Sequence, residues 1–199
     1  MCGSRPGSEV VAGEPVELAS LQRQDPAAFE ALHRATAPEL RGYLARLCRT
    51  PDQVDDLLQE TFRRAYAALP TTAPDTRVRA WLFAIATNVV RSAARTAYWR
   101  RVIPTDDREL DRRPAAGAGP EERAEAVDLI ERTLAALKPD HAALLLLHWH
   151  AGFTIDELAP AQGVARETIK KRLYRARKAF SAAYARELSG LTDGRGGAP

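Results

Sequence analysis

An all-α fold, built as two small helical domains joined by a flexible linker and closing on a helix-turn-helix, follows from three features of this 199-residue chain. Alanine, leucine and arginine dominate while aromatics reach only 7%, and no run of alternating β-branched residues signals a strand. Apolar residues recur at helical spacing through two long stretches. Between them lies "DDRELDRRPAAGAGPEER", where that periodicity gives way to Gly, Pro and charge. The expected organisation is a disordered tail over 1–16, a helical domain over 17–102, the linker over 103–120, a second helical domain over 121–188 and a disordered tail over 189–199. Each domain is small, so amphipathic helix packing has to supply most of its stability.

Taken in order, "DPAAF" opens the first long helix, with Asp25 as cap and Pro26 at a position where no amide bond is lost. Phe29, Leu32, Leu40, Tyr43, Leu44 and Leu47 follow at helical spacing, and Pro38 predicts a kink or a split into two helices. "TPDQ" starts the next helix, with Thr50 as cap, Pro51 behind it and Gln53 closing a capping box. "ALPTTAPDT" is a loop, and a long helix is expected from about 77 to 101. In the second domain, helices are expected near 121–137, 139–151, 154–161 and 165–187.

Composition limits the functional classes. Cys2 and Cys48 offer neither a disulfide framework nor metal-ligand spacing, which suits a reducing compartment. Residues 1–16 lack the apolar core of a signal peptide, and the longest apolar run, "AALLLLHWHAGF", is too short to span a bilayer. A cytoplasmic protein without membrane insertion is expected. His141, His148 and His150 sit around "LLLLHWH"; alternating His-Trp-His in a leucine-rich helix is more often partly buried packing than a metal or redox sensor. No nucleophile–base pair or metal set can be assembled, so no catalytic, cofactor or metal site is expected and the chain is not read as an enzyme.

Charge is informative only when mapped locally, since the net value is +3. "GFTIDELAPAQGVARETIKKRLYRARKAF" carries a capping box (Thr154, Glu157), a glycine turn at Gly163 and then a basic helix. From Val164 to Lys178 there are seven bases against one acid, Glu167. Val164, Ile169, Leu173, Ala176 and Phe180 form its buried stripe; Glu167, Lys170, Lys171, Tyr174 and Lys178 stand opposite, with Arg175 on the flank. A recognition helix needs this arrangement, with base-reading residues near its start and phosphate-gripping bases beyond. Pro160 should shorten or distort the preceding helix, and Ala165 stands where a Ser or Thr cap would be worth on the order of 1 kcal/mol.

The first domain separates charge by helix. In "DQVDDLLQETF", Asp52, Asp55, Asp56 and Gln59 share one stripe, with Val54, Leu57, Leu58, Ala65 and Leu69 opposite. A solvated face is the ordinary explanation; a docking surface for a basic protein also explains why the acids share a side. By contrast, Arg77 to Arg101 contains six arginines and no acid. Asn88, Arg91 and Arg95 align along a flank with Arg77, while Trp81 and Trp99 lie at the border, a pattern suited to an unstacked single strand.

"VDDLLQETFRRAYAAL", "VRAWLFAIATNVVRSAAR" and the helix-turn-helix stretch, in that order and spacing, resemble bacterial RNA polymerase sigma factors of the extracytoplasmic-function (ECF) group, in the sigma-70 family. The resemblance covers about 18–187 and implies a region 2-like first domain and a region 4-like second domain. It implies docking of the acidic helix (Asp52, Asp55, Asp56, Gln59, Glu60) on the clamp of the largest subunit of core RNA polymerase. It further implies contacts to the melted −10 strand from Arg77, Arg79, Trp81, Asn88, Arg91 and Arg95, and to the −35 duplex from Arg166, Glu167, Lys170, Lys171, Tyr174, Arg175 and Lys178. The "PTTAPDTR" loop would help capture a flipped base, and the linker would run toward the RNA exit channel. Such factors are commonly held inactive by an anti-sigma protein, which becomes an expected partner. Ala165, Arg166 and Glu167 depart from the small, serine-bearing start usual for the recognition helix, so the promoter sequence does not carry over. The alternative is a stand-alone helix-turn-helix regulator, dimeric and binding duplex without polymerase.

Overall fold

Asp25 and Pro26 start the longest helix of the N-terminal half as expected: the Asp25 carboxylate accepts from the Ala27 amide at 2.9 Å and Pro26 occupies the first helical position. The computed structural model describes residues 8–11, 14–48, 50–98 and 120–195. Its elements are β1 (Ser8–Val11), β2 (Glu14–Glu17), α1 (Leu18–Gln22), α2 (Pro26–Leu47), α3 (Pro51–Ala68) with a 3-10 turn at Leu69–Thr71, and α4 (Val78–Tyr98), which together form an N-terminal block. A C-terminal block holds α5 (Pro120–Ala135), α6 (Pro139–Leu145), a π-helical turn (Leu146–His150), α7 (Ile155–Ala161) and α8 (Arg166–Arg195). Apart from the β1–β2 pair, the regular elements among the described residues are helical, in keeping with the expected class.

Five local expectations are corrected. Pro38 neither splits nor ends α2; it lies on the exposed side, where water can satisfy the Arg34 carbonyl, while buried Leu32, Leu40, Tyr43 and Leu44 hold the two halves as one element. Thr50 caps α3 through its extended backbone without a side-chain bond, so the capping box with Gln53 does not form and Pro51 alone sets the start. The helix expected over 139–151 changes character after Leu145, where the Ala151 amide bonds back to the Leu146 carbonyl at 2.9 Å across a widened turn that Gly152 closes at φ +73°. At the N-terminus, part of the expected disordered tail is a two-stranded antiparallel pair running from Ser8↔Glu17 to Val11↔Glu14, carrying Val10, Val11 and Val16. Four residues per strand are too few for alternation to announce them. At the other end α8 continues to Arg195, beyond the expected stop near 187. The linker segment up to 119 and residues 196–199 lie outside the described residues.

The core is continuous. In the N-terminal block Leu21, Leu32, Leu40, Leu44, Leu69 and Leu82 are fully buried. The middle of α4 is buried nearly all round, with Phe83, Ala86 and Val90 buried beside Val78, Leu82 and Val89. Tyr43 from α2 reaches the Thr87 hydroxyl at 2.8 Å, and since that hydroxyl donates to the Phe83 carbonyl, Tyr43 is the donor. Burial pushes the Tyr43 hydroxyl well above its ordinary range, so it stays protonated. In the C-terminal block Leu145, Leu147, Leu158 and Ile169 are equally buried, each worth roughly 1.5–3 kcal/mol of transfer free energy. The two blocks meet where Phe83 of α4 sets its ring edge-on to Phe153 at 5.2 Å.

The turn before α8 is built as its sequence indicates. Thr154 and Glu157 complete the capping box of α7, Pro160 lies inside that helix, and Gly163 takes φ +62° while Val164 N–H bonds the Ala159 carbonyl at 3.0 Å. A Cβ at Gly163 would meet nothing within 4 Å, so any cost of adding one is conformational. Gly163→Ala is therefore expected to destabilise by about 1–2 kcal/mol. Gly42→Ala, inside α2 with only Arg46 at van der Waals distance, is expected to stabilise by about 0.5–1 kcal/mol. Urea titrations of the two variants should move their midpoints in opposite directions.

Candidate protein and nucleic-acid interfaces

The acidic stripe of α3 faces outward. Asp52, Asp56 and Gln59 are exposed, and Asp55 and Glu60 are half-buried. Val54, Phe62 and Ala65 are the buried side, with Leu57 and Leu58 packed at its margin; Phe62, which the stripe drawn from spacing omitted, meets Phe29 edge-on at 6.2 Å. Two of the five candidates already have partners. Asp55 is held bidentately by Arg41 of α2, in a pair half open to water. Glu60 accepts from Arg63 at 2.6 and 2.7 Å and from Arg64 at 2.7 Å, all on its own helix. Those guanidinium hydrogen bonds hold its carboxyl down at about 2. Among the described residues no cation pairs with Asp52 or Asp56, so the unneutralised charge sits at the first two turns of α3, where the helix dipole also favours acids.

The basic face of α8 is open. Arg166, Glu167, Lys170, Lys171, Tyr174, Arg175 and Lys178 are all exposed, Tyr174 by 69%, while Ile169, Leu173 and Ala176 are buried against the block. Arg166 pairs with Asp156 of α7 at 3.1 Å, and Lys170 with Glu167 at 2.7 Å. The Lys170 bond lowers the Glu167 carboxyl, so that side chain is an ionised acceptor fixed at the start of the helix. The turn at Gly163 joins α7 to α8 and leaves this face exposed, the layout of a helix-turn-helix.

The arginine flank of α4 is placed differently. Arg79 is partly buried: it pairs with Glu39 of α2, its Nη2 donates to the Ala151 carbonyl of the other block at 3.0 Å, and its guanidinium lies 4.3 Å from the centre of the Phe153 ring. Arg91 pairs with Asp140 of α6 and donates to the Asn88 side-chain Oδ1 at 3.3 Å. Arg77, exposed, stands 3.8 Å from Glu157 of α7. Burial alone would raise the Glu157 carboxyl, but the Thr154 amide and hydroxyl and then the two arginines outweigh it and hold it below its ordinary value. Trp81 is half-buried against the core, the ordinary fate of an apolar-face tryptophan, and Asn88 is exposed. The side chain of Arg95, and Trp99 altogether, lie outside what is described.

The histidines do not assemble a site. His148 Nδ1 bonds the Phe153 carbonyl at 2.8 Å, and among the described residues no group of three His, Cys, Asp or Glu could hold a metal ion. Nor is any helix among them long and apolar enough to cross a membrane. The π-helical turn instead pushes Trp149 outward, 49% exposed, onto an apolar groove of about 500 Å³ that Ile130, Leu134, Phe180 and Tyr184 also line. Sequence spacing missed this groove, because the five-residue change of helix type alters the direction in which Trp149 leaves the helix. Glu39, Asp140 and Phe153 were missed too, since their partners lie 40 to 70 residues away in sequence and no periodicity links them.

Comparison with known proteins agrees with this layout. The family described as Sigma-70 region 2 matches residues 32–100, and that described as Sigma-70, region 4 matches residues 128–180. The chain is 32% identical over 152 residues to the RNA polymerase sigma factor CarQ of Myxococcus xanthus, covering 74% of this chain and 84% of that one. It is 32% identical over 158 residues to the ECF RNA polymerase sigma factor SigL of Mycobacterium tuberculosis, covering 77% and 87%. Among solved structures, CnrH in complex with the cytosolic domain of CnrY superposes with a TM-score of 0.59 at 26% identity, over 83% of this chain and 92% of that one. The sigma factor RpoE of Bartonella quintana, solved with the anti-sigma factor NepR, shares the fold at a TM-score of 0.59 and 24% identity, over 78% and 95%.

The Glu60 cluster makes a pH prediction. A carboxyl depressed in the folded state favours folding above its unfolded value near 4.3, and that contribution disappears as pH falls through about 2. Carbon-detected NMR titration should find Glu60 ionised at pH 3.5, and replacing Arg63 and Arg64 together by Gln should return it to the ordinary carboxylate range.

Proposed function

Because this chain belongs to the ECF group of RNA polymerase sigma factors in the sigma-70 family, we propose that α3 docks it on the clamp of the largest subunit of core RNA polymerase while α4 and α8 hold promoter DNA. The observation that carries this reading is the outward placement of opposite charges on separate helices. Asp52, Asp55, Asp56, Gln59 and Glu60 offer carboxylate and amide acceptors to a basic partner, with Asp52 and Asp56 needing no internal pair to be broken. Engaging Asp55 requires only that an exposed ion pair with Arg41 be exchanged, a loss of about 0–1 kcal/mol.

On DNA, α8 enters the major groove at the −35 element. Arg166, Glu167 and Lys170 face base edges; Lys171, Tyr174, Arg175 and Lys178 track the backbone and release counterions. Ion pairing of Glu167 with Lys170 keeps an acceptor beside a donor, a pair of groups able to read amino and carbonyl edges respectively. Arg77, Arg79, Trp81, Asn88, Arg91 and Arg95 serve the melted −10 strand, with guanidinium groups for phosphate and a half-buried ring and amide for bases. The anti-sigma partner expected from the resemblance finds support in the apolar groove around Trp149, Ile130 and Tyr184. Action on core polymerase would place the chain in the cytoplasm. A stand-alone regulator would leave the acidic stripe of α3 without a role.

The two DNA elements lie about 25 base pairs apart, on the order of 85 Å of duplex at ~3.4 Å per pair. Blocks in contact cannot reach both. The peptide between Tyr98 and Pro120 spans at most ~75 Å, enough for the blocks to separate and each to take its element.

Run-off transcription with purified core polymerase over a promoter library should yield discrete start sites only when the chain is added. Asp55→Lys combined with Asp56→Lys should abolish co-purification with core enzyme while leaving the helical fold intact and lowering the melting temperature only slightly, through loss of the Arg41 pair. Retained co-purification would remove α3 from the docking surface. Lys171→Ala should weaken duplex binding at the recognised promoter and lower the slope of log K against log salt by about 1; an unaltered slope would take Lys171 off the DNA.

A further inference from the structure

Not every base on α8 stands on its open face. Arg172 and Arg175 converge with Arg91 of α4 and His141 of α6 on a polar cleft of about 350 Å³. Three guanidinium groups there share a small space with one carboxylate, Asp140, leaving a surplus of two positive charges before His141 is counted. Asp140 is bound to Arg91, so its charge is spent on the α4 side. On the α8 side no carboxylate lines the cleft. Among the described residues, half-buried Arg172 donates to the neutral Gln162 amide oxygen at 3.3 Å, and Arg175 has no hydrogen-bond or ion-pair partner. Like charges gathered in a recess repel more strongly than on an open surface, because water and salt screen them less. An anion removes that repulsion, and the groups present suit one. Guanidinium forks match phosphate oxygens two at a time, and an imidazole N–H adds a further donor. The Leu144 and Leu147 side chains give the cleft an apolar wall, and its volume stands at the lower end of the range for small-ligand sites, about 300–1,000 Å³.

We propose that this cleft binds a small free anion bearing a diphosphate, held by Arg172, Arg175 and Arg91 with His141 as a further donor. The surplus of two charges selects an ion with at least two negative charges, and the volume holds a diphosphate or a mononucleotide and little more. A DNA backbone offers the same phosphate chemistry, but a duplex meets α8 along Lys170, Lys171 and Lys178, whereas Arg172 is half-buried on the flank. Arg91 and Arg175 are also read above as DNA contacts, so an occupied cleft would withhold both from promoter. That consequence rests on the DNA reading; the binding site itself does not.

The test is calorimetric titration of the full-length chain with inorganic pyrophosphate at fixed ionic strength, without DNA or polymerase, so its outcome stands whether or not the promoter reading holds. The expected result is saturable binding of one pyrophosphate per chain, weakened about tenfold in Arg172→Gln and in Arg175→Gln. Arg175 is exposed, so its variant keeps the test open if Arg172→Gln does not fold. Arg186→Gln, further along the same helix and outside the cleft, should keep wild-type affinity. Heats that do not saturate, or an equal loss in all three variants, reduce the effect to charge screening and overturn the site. Titration of Arg172→Gln with a short non-specific duplex separates the two phosphate sources. Duplex affinity is expected to stay unchanged there while pyrophosphate affinity falls. Loss of duplex affinity with no pyrophosphate binding by wild type would assign the cleft to the DNA backbone and overturn the proposal.

Discussion

Arg79 is the contact on which the arrangement of the whole chain depends. Its side chain is only 27% exposed, and three kinds of partner meet its guanidinium: a carboxylate from α2, a carbonyl from the turn before α7, and the faces of Phe83 and Phe153. A partly desolvated charge with satisfied donors fixes geometry more sharply than apolar packing alone, since each donor direction has to be matched. Arg79 therefore sets the register between the blocks, while the Phe83–Phe153 edge contact supplies the apolar area around it.

The two halves stand in different relations to their surroundings. The N-terminal block is organised around α4, a helix buried over most of its middle turns apart from exposed Asn88, and α2 and α3 pack on it. The C-terminal block is organised around the angle between α7 and α8, which Gly163 and the Thr154–Glu157 box determine from both sides of the turn. The first design makes a stable platform with charged edges; the second makes a rigid presentation of one helical face. Glu157 belongs to both, because the carboxylate that caps α7 is also the one that approaches Arg77.

Much of this was legible in the amino-acid order. Caps at Asp25 and Thr154, the turn at Gly163, the buried stripe of α8 and the outward acids of α3 all arise from interactions within a few residues, which spacing reveals directly. The continuity of α2 through Pro38 was not, because tertiary packing on Leu40, Tyr43 and Leu44 outweighs one missing hydrogen bond. The π-helical turn was illegible for a related reason: a widened turn costs little in sequence terms and is set by where Phe153 must bury. The neutralisation of Glu60 by Arg63 and Arg64 could have been read from their i+3 and i+4 spacing, whereas the embrace of Arg79 and Arg91 by distant residues could not.

The length of α8 has a mechanical consequence. Thirty residues at about 1.5 Å each make a rod of roughly 45 Å, seated on α6 and α7 through Ile169, Leu173 and Ala176 and steadied further along by α5, where Arg132 stands 3.8 Å from Glu187. A rod held along its length transmits load. Under the role proposed for α8, a partner that seizes its trailing turns strains the same packing that seats the leading turns, so leverage applied tens of ångströms away bears on how that face is presented.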